Sequence, residues 1–513
     1  MNDERNASAV GDEESIGDTG CTPSAKVVAF SGGRHAEPAP LTHRQKRFIV
    51  MCMMLPVFLG SVDQSILATA LPTIGRSLGE VHDLPWLITA FLIASTALTP
   101  LYGKFADIHG RRAAMLIGLC VYMVGALICA SSHTMLQLIL GRVVQGCGAG
   151  GLTVTANMIL GDVASPKDRG RYYTYFSIAF TTAGGAGPAL GGWISEHLHW
   201  SVIFLWNLPL VGIALIIALT VLKRLPRRER PHRLDVAGAI LVMAASSSFM
   251  LALNLGGVRY PWLSTPILAL LGCALVLATG FIMRLVSATE PLIPIAILSD
   301  RGARLCIAAH CFGWASIVSL GVFLPMYLQS ALDWSPTSAG LTMMILLVAL
   351  NLGAAASGQV LGRVRHYKVM PLCCLVVGIG ALVALALSAG DMTPRKFEIL
   401  LALIGLGWGP TAPLTQVALQ NNVAHQDLGS ALGTMNFART LIATILVAIC
   451  GAIVLAGAPV GAAGGTLGRD FLGGASLQTF AMVFWAMAVT LTVALLSVIL
   501  LDEKPLEGDE AIG

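Results

Sequence analysis

The chain has 513 residues, 55% of them hydrophobic and only 12% charged, against about 25% charged residues in an average soluble protein. Most of it cannot face water, which excludes a soluble enzyme. The formal net charge is +4, with Lys and Arg gathered in short loops between apolar runs, so there is no continuous basic face, which argues against nucleic acid as a partner.

The first forty residues are acidic, Gly- and Ser-rich with no apolar core before a cleavage site, and residues 1–47 read as a disordered cytoplasmic tail. A bilayer core of about 30 Å takes about 20 apolar residues in helix, and about fourteen such runs follow between residues 48 and 501. The basic strings RQKR, GKFADIHGRR, KDRGR, KRLPRRERPHR and GRVRHYK all fall on one side of these runs. That side is expected to be the cytoplasm, with both termini there and the chain in the plasma (inner) membrane. The loops opposite, such as SSHT and SEHLHWS, are poorer in cations.

GKFADIHGRR after the second run has a faded echo in GQVLGRVRHY after the tenth, with Gly362 in place of Asp107 and Arg365 in place of Gly110. An offset of eight runs implies two halves with an inserted pair between them. The expected organisation is all-α: a six-helix bundle over 48–222, two inserted transmembrane helices over 235–286, a second six-helix bundle over 303–501 and a tail over 502–513. Most of the eleven cysteines fall inside apolar runs and read as small core residues. The adjacent Cys373 and Cys374 point to different faces of a helix and lack ligand-spaced partners, so no metal or cofactor is expected.

Ionisable groups inside a span cost about 2.5 to 3.5 kcal/mol on insertion scales, so each needs a partner, water or a function. Asp63 stands near the middle of span one in FLGSVDQSILATALPTI, where a carboxyl cut off from bulk water has the chemistry a proton carrier needs. An Asp kept ionised by nearby water is the alternative. Arg142 in span four, within LILGRVVQGCGAGG, always carries its charge, and its nearest obvious anion is Asp63 if spans one and four meet. A purely structural Arg bound to carbonyl groups is the other reading. Arg439 in span thirteen lies close enough to the basic side to snorkel, which favours a structural role over cavity lining. Gln145, His310, Gln329 and Asn351 are further polar candidates for a substrate path, although hydrogen bonding between helices is the commoner use of such residues.

In span five, GGAGPALGG places Gly187, Pro188, Gly191 and Gly192 in one stretch, small enough for close helix approach and with a Pro that breaks a helical hydrogen bond. After span two, Gly103, Asp107 and Arg111 recur every four residues and share a helical face, while Gly110 and Arg112 complete the string. Topogenic charge is the alternative reading of that loop. No GxxxxGK[ST] loop is present, which argues against an ATP-driven pump.

Together these stretches resemble the major facilitator superfamily, and within it the fourteen-span drug:proton antiporters of the EmrB/QacA type. The segment VDQSILATALPTI is similar to that family's first span. Gly103, Asp107, Gly110, Arg111 and Arg112 match the superfamily's loop motif, and Arg142, Gln145, Gly146 and Gly148 match its fourth-span motif. Gly187, Pro188, Gly191 and Gly192 match the antiporter motif, while FLWNLP, YLQSALDWSPTSAGL and LQNNVAHQDLGSALG extend the likeness. Ala183 and Ile442 stand where the family pattern carries glycines. The resemblance implies two rocking bundles that export small amphipathic or cationic compounds in exchange for protons, with Asp63 binding the proton and Arg142 assisting. It also implies a cytoplasmic gate in which Asp107, Arg111 and Asp162 hold the start of span thirteen. A dedicated metabolite or amino-acid carrier is the alternative on the same fold. Lipid surrounds such a protein, and the Gly-rich loop GAPVGAAGGTLGRDFLGG is a candidate contact for a periplasmic adaptor, with a flexible linker as the other reading.

Overall fold

A helix satisfies its own backbone N–H and C=O groups, which is what an apolar run needs in hydrocarbon. The computed structural model describes residues 42–78, 83–224, 234–257, 259–330, 332, 334, 336–360, 366–388, 393–456 and 477–503. The initial acidic stretch, parts of the basic loops at 225–233 and 361–365, the Gly-rich segment within 457–476 and the final residues lie outside this description.

The first half comprises α1 (His43–Leu78), α2 (Leu84–His109), α3 (Arg111–Ala130), α4 (Met135–Val163), α5 (Pro166–His197) and α6 (Val202–Thr220). The inserted pair is α7 (Val236–Leu255) and α8 (Thr265–Ser287), followed by a short α9 (Ile295–Ser299). The second half comprises α10 (Arg301–Ser330), α11 (Pro336–Val360), α12 (Val369–Leu387), α13 (Pro394–Trp408), α14 (Thr411–Asn422), α15 (Leu428–Ala456) and α16 (Leu477–Leu500). Thirteen stretches among the described residues are long and apolar enough to cross a membrane. The fourteenth expected span, α5, falls outside that set because Tyr, Thr and Gly replace aliphatic residues along it. It packs on α1 and α11.

Span twelve departs from the expected single helix. It divides into α13 and α14 at Gly409 and Pro410, since Pro410 offers no N–H to the turn before it. Cys120, Cys273 and Cys373 also depart from expectation by facing outward instead of into the core, which a soft, weakly polar thiol tolerates in an apolar setting.

Each half has its own apolar core: Phe91, Tyr122 and Phe204 with their neighbours in the first, and Tyr327, Trp408 and Phe484 in the second. A further cluster mixes the halves at the end bearing the basic loops, where Tyr102, Ala106 and Met158 meet Ala418, Leu432 and Met435. The inserted pair docks through Ala239 and Val242, near Leu101 and Phe437. The faint sequence echo has a structural counterpart at Gly103 and Gly358, the second-helix glycines of the two halves. A side chain at Gly103 would collide with the Gly429 carbonyl of α15, and one at Gly358 with the Gly170 carbonyl of α5. Each second helix therefore leans on the fifth helix of the opposite half.

Small residues set the spacing inside the first half as well. A Cβ on Gly148 would strike the backbone of Tyr122 and would lie 2.5 Å from the Gly118 carbonyl, whereas Gly60 has open space around it. Forcing bulk into such a contact costs about 1–3 kcal/mol. Gly148→Val should therefore lower the thermal midpoint of purified protein and Gly60→Ala should not; equal effects would contradict this packing.

Candidate functional site

The first polar cluster forms where α1, α2, α4 and α6 meet. Arg142 on α4 donates from Nη1 to Asp63 Oδ2 at 2.5 Å and from Nε to the Leu87 carbonyl at 3.0 Å. Gln145, one turn along α4, accepts from the same Nη1 at 2.7 Å and donates from Nε2 to Asp63 Oδ1 at 2.9 Å. Asn207 on α6 donates to that oxygen at 2.8 Å. The Phe91 ring covers the guanidinium, 4.1 Å from Cζ to the centroid. The Tyr122 hydroxyl is buried beside Asp63 and Gln145 without completing a hydrogen bond of good geometry.

Asp63 and Arg142 are each 1% exposed and Gln145 and Asn207 are wholly buried. Removing two charges from water costs several kcal/mol per ion unless close pairing and further hydrogen bonds offset it, and three donors on one carboxylate supply both. Leu87 lies in the first turn of α2, Asn207 in the second turn of α6 and Arg142 two turns into α4. The cluster therefore sits toward the end opposite the basic loops, not at mid-span as the position of Asp63 in its run suggested. Gln145 belongs to this enclosed cluster and does not line an open path.

The span-five glycines bear on the helix that carries Asp63. A Cβ on Gly187 would collide with Ser65, and one on Gly191 with Thr69 and, at 2.5 Å, the Ile66 carbonyl. Gly192 faces open space. Pro188 lies within α5, and its side chain is outside the described ones. Ala183 is fully buried in the same core, so its methyl group is accommodated there.

At the opposite end, Gly110 reverses the chain between α2 and α3 with φ at +89°, a conformation that favours glycine. This brings Arg111 back onto Asp107 at 2.6 Å, while its Nε donates to Asp162 at 3.0 Å. Asp107 also accepts from the Gly429 N–H at 3.1 Å, the Ser430 N–H at 2.8 Å and the Ser430 hydroxyl at 3.0 Å. The first turn of a helix leaves its N–H groups unpaired and slightly positive. Asp107 thus caps α15 from the opposite half and ties the two halves together at this end. His425 lies 3.6 Å from Asp162, and Gln420 donates to the Tyr173 hydroxyl at 2.6 Å across the same junction. Arg112 turns elsewhere and caps α6 through the Ala218 and Leu219 carbonyls at 3.3 and 3.2 Å.

The remaining candidates belong to the second half. His310 Nδ1 meets the Thr415 hydroxyl at 2.9 Å. Asn351 on α11 donates to the Leu347 carbonyl at 2.7 Å and to Thr181 of α5, joining the halves. Gln329 is exposed near the end of α10. Arg439 does not snorkel: its Nε is buried and its guanidinium lies 4.7 Å from the centroid of Trp314. It stands eleven residues beyond Leu428, the start of α15, or about 16 Å along the helix at 1.5 Å per residue, which is too deep to reach that surface. Asn207, Tyr122, Trp314 and Trp408 escaped selection from sequence; a lone Asn among the aliphatic residues of α6 was the one available signal.

The sequence profile described as Major Facilitator Superfamily matches residues 53–448, and the chain belongs to that family. It is 28% identical over 414 residues to the multidrug transporter protein MdtP of Bacillus subtilis (strain 168), covering 80% of this chain and 75% of the relative. It is 30% identical over 434 residues to the efflux pump dotC of Dothistroma septosporum (strain NZE10 / CBS 128990), covering 82% and 73% respectively. A crystal structure of a bacterial homologue of the iron transporter ferroportin in an outward-facing state shares the fold, with TM-score 0.62 at 14% identity over 88% of this chain and 98% of that one. The protein is a multi-pass membrane transporter and not an enzyme.

Asp107 is the acid on which these contacts between the halves converge. Asp107→Ala should release the start of α15, so spin labels placed at 109 and 424 should show a longer distance component by double electron–electron resonance. An unchanged distribution would contradict a closing role for this contact.

Proposed function

We propose that this transporter is a proton-coupled antiporter of the fourteen-span EmrB/QacA type, exporting small amphipathic or cationic compounds by alternating access. The observation that carries the reading is Asp63, a carboxylate enclosed at 1% exposure with Arg142, Gln145 and Asn207 as its donors. Its protonation would cancel the charge that balances Arg142, and the guanidinium would then have to find other acceptors or move. The names of the relatives support export of small molecules. In this reading the end closed by Asp107, Arg111 and Asp162 is cytoplasmic, both termini lie on that side, and the described arrangement is outward-facing in an inner membrane. The glycines at 187 and 191 act as the contact across which α1 and α5 shift. An adaptor on the Gly-rich loop remains compatible with export but is not required by it.

A membrane potential supplies about 2.3 kcal/mol per proton per 100 mV, which is roughly a fifty-fold gradient per proton for a substrate with no net charge. Purified protein in liposomes loaded with a pH-sensitive dye tests the proposal against a panel of lipophilic cations, neutral dyes, aromatic acids and amino acids. Wild type should acidify or alkalinise the lumen only when substrate is added, and Asp63→Asn should abolish that response. Equal substrate movement by both proteins without proton flux would show uniport instead, and a response confined to amino acids would favour a dedicated carrier.

A further inference from the structure

The spans hold a second guanidinium, that of Arg439, whose charge nothing in the proton site uses. An Arg side chain carries five N–H donors in a fixed fork and does not lose its charge. Arg142 directs its own at a carboxylate, a carbonyl and an amide. Arg439 directs its guanidinium at the face of Trp314, and its Nε is buried without an acceptor. Among the described residues no carboxylate lies within ion-pair distance of it. Asp63, the acid inside a span of the first half, is committed to Arg142 at 2.5 Å, and Asp107 and Asp162 are held at the closed end by Arg111. Stacking on an indole offsets about 0.5–2 kcal/mol of the cost of such a cation, but supplies none of the in-plane acceptors that the fork is built for.

The surroundings of Arg439 are those of a recognition site. The residue is partly exposed as a whole, and of its guanidinium nitrogens only Nε is enclosed without an acceptor. Trp314 beneath it meets Phe180 of α5 edge-on at 5.9 Å and Trp408 of α13 at 5.6 Å. Its platform therefore spans the junction between the halves. The Trp408 indole presses onto Gly313 so closely that a Cβ there would collide with it, which makes it a rigid floor. One turn before Arg439, the Asn436 side chain is anchored through Nδ2 to the Leu432 carbonyl at 2.9 Å and leaves Oδ1 unpaired. His310, 1% exposed with its ring centroid 6.1 Å from that of Trp408, leaves Nε2 unpaired. Aromatic surface around an unmatched fixed cation, midway along the helix whose first turn Asp107 caps, suits a flat apolar body with one anionic oxygen group.

We propose that Arg439, on its Trp314 platform between the halves, binds the anionic group of an aromatic substrate, so that the transporter selects amphipathic organic acids over their neutral or cationic counterparts. This rests on the export reading, keeping its amphipathic cargo and setting organic acids in place of the cationic compounds. Because Arg439 lies on α15, an anion drawn to it also bears on the helix whose start closes the opposite end.

Equilibrium dialysis of the full chain in lipid nanodiscs against naphthoate, naphthamide and naphthylmethylamine tests the site with bodies that differ mainly in charge. Wild type should bind naphthoate about ten- to a hundredfold more tightly than naphthamide, the range expected of a charge-assisted pair, with the amine weakest. Arg439→Gln should erase that preference, leaving naphthamide binding little changed. Arg439→Lys should keep part of it, and it also serves if the glutamine variant does not fold. Trp314→Leu should weaken naphthoate and naphthamide together. A glutamine variant that loses both ligands equally assigns Arg439 a structural role and overturns the proposal, as does a wild type that prefers the amine or binds neither naphthoate nor a naphthalenesulfonate. Binding at equilibrium needs no proton gradient. A wild type without carboxylate preference that still couples substrate to protons contradicts this site alone, and an Asp63→Asn protein that keeps its proton flux contradicts the coupling reading alone.

Discussion

The contact on which the rest depends is the ion pair between Asp63 and Arg142. In a medium of low dielectric neither charge is tolerable alone, and the pair survives because Leu87, Gln145 and Asn207 occupy the remaining hydrogen-bonding positions. Those groups come from α1, α2, α4 and α6, so one electrostatic requirement fixes the mutual placement of four helices. Adding one proton removes the reason for the arrangement without breaking any covalent or apolar contact.

The helices that supply the pair also reach the other working parts of the molecule. The rod of α4 carries Arg142 near one end and Asp162 at the other, where Asp162 accepts from Arg111. The contact of α1 with Gly187 and Gly191 begins within one turn of Asp63. Close approach without interlocking side chains permits sliding, whereas the core around Phe91 and Tyr122 does not. Across the junction, α15 is capped by Asp107 at its start and carries Arg439 midway along. A shift of α15 would move the closed end and the second cation together.

Much of this was legible in the sequence because ionisable residues inside apolar runs are too costly to be incidental. Asp63 and Arg142 stand out for that reason, and the spacing of Gly103, Asp107 and Arg111 places them on one face. Other features depend on tertiary facts that local pattern does not carry. The depth of Arg439 follows from α15 beginning at Leu428 behind a short turn, so a residue that looked able to snorkel lies midway along its helix. Gln145 is polar in either role, and only the approach of α1 assigns it to Asp63 and not to a cavity. Arg112 reads as gate or topogenic charge until the end of α6 is seen beneath it. The division at Gly409 and Pro410 was visible as a dipeptide, yet a proline inside a span bends a helix as readily as it breaks one.

In the proposed coupling, Asp63 exchanges a proton as substrate binds. Infrared difference spectroscopy on protein in lipid observes this directly, since a protonated carboxyl absorbs apart from a carboxylate. Proton exchange at this residue requires a protonated-carboxyl band that grows on acidification, disappears when substrate is added and is absent from Asp63→Asn. A spectrum in which no such band depends on Asp63, at any pH and with or without substrate, would mean that the buried pair is a permanent structural bond and that protons, if they move, take another path.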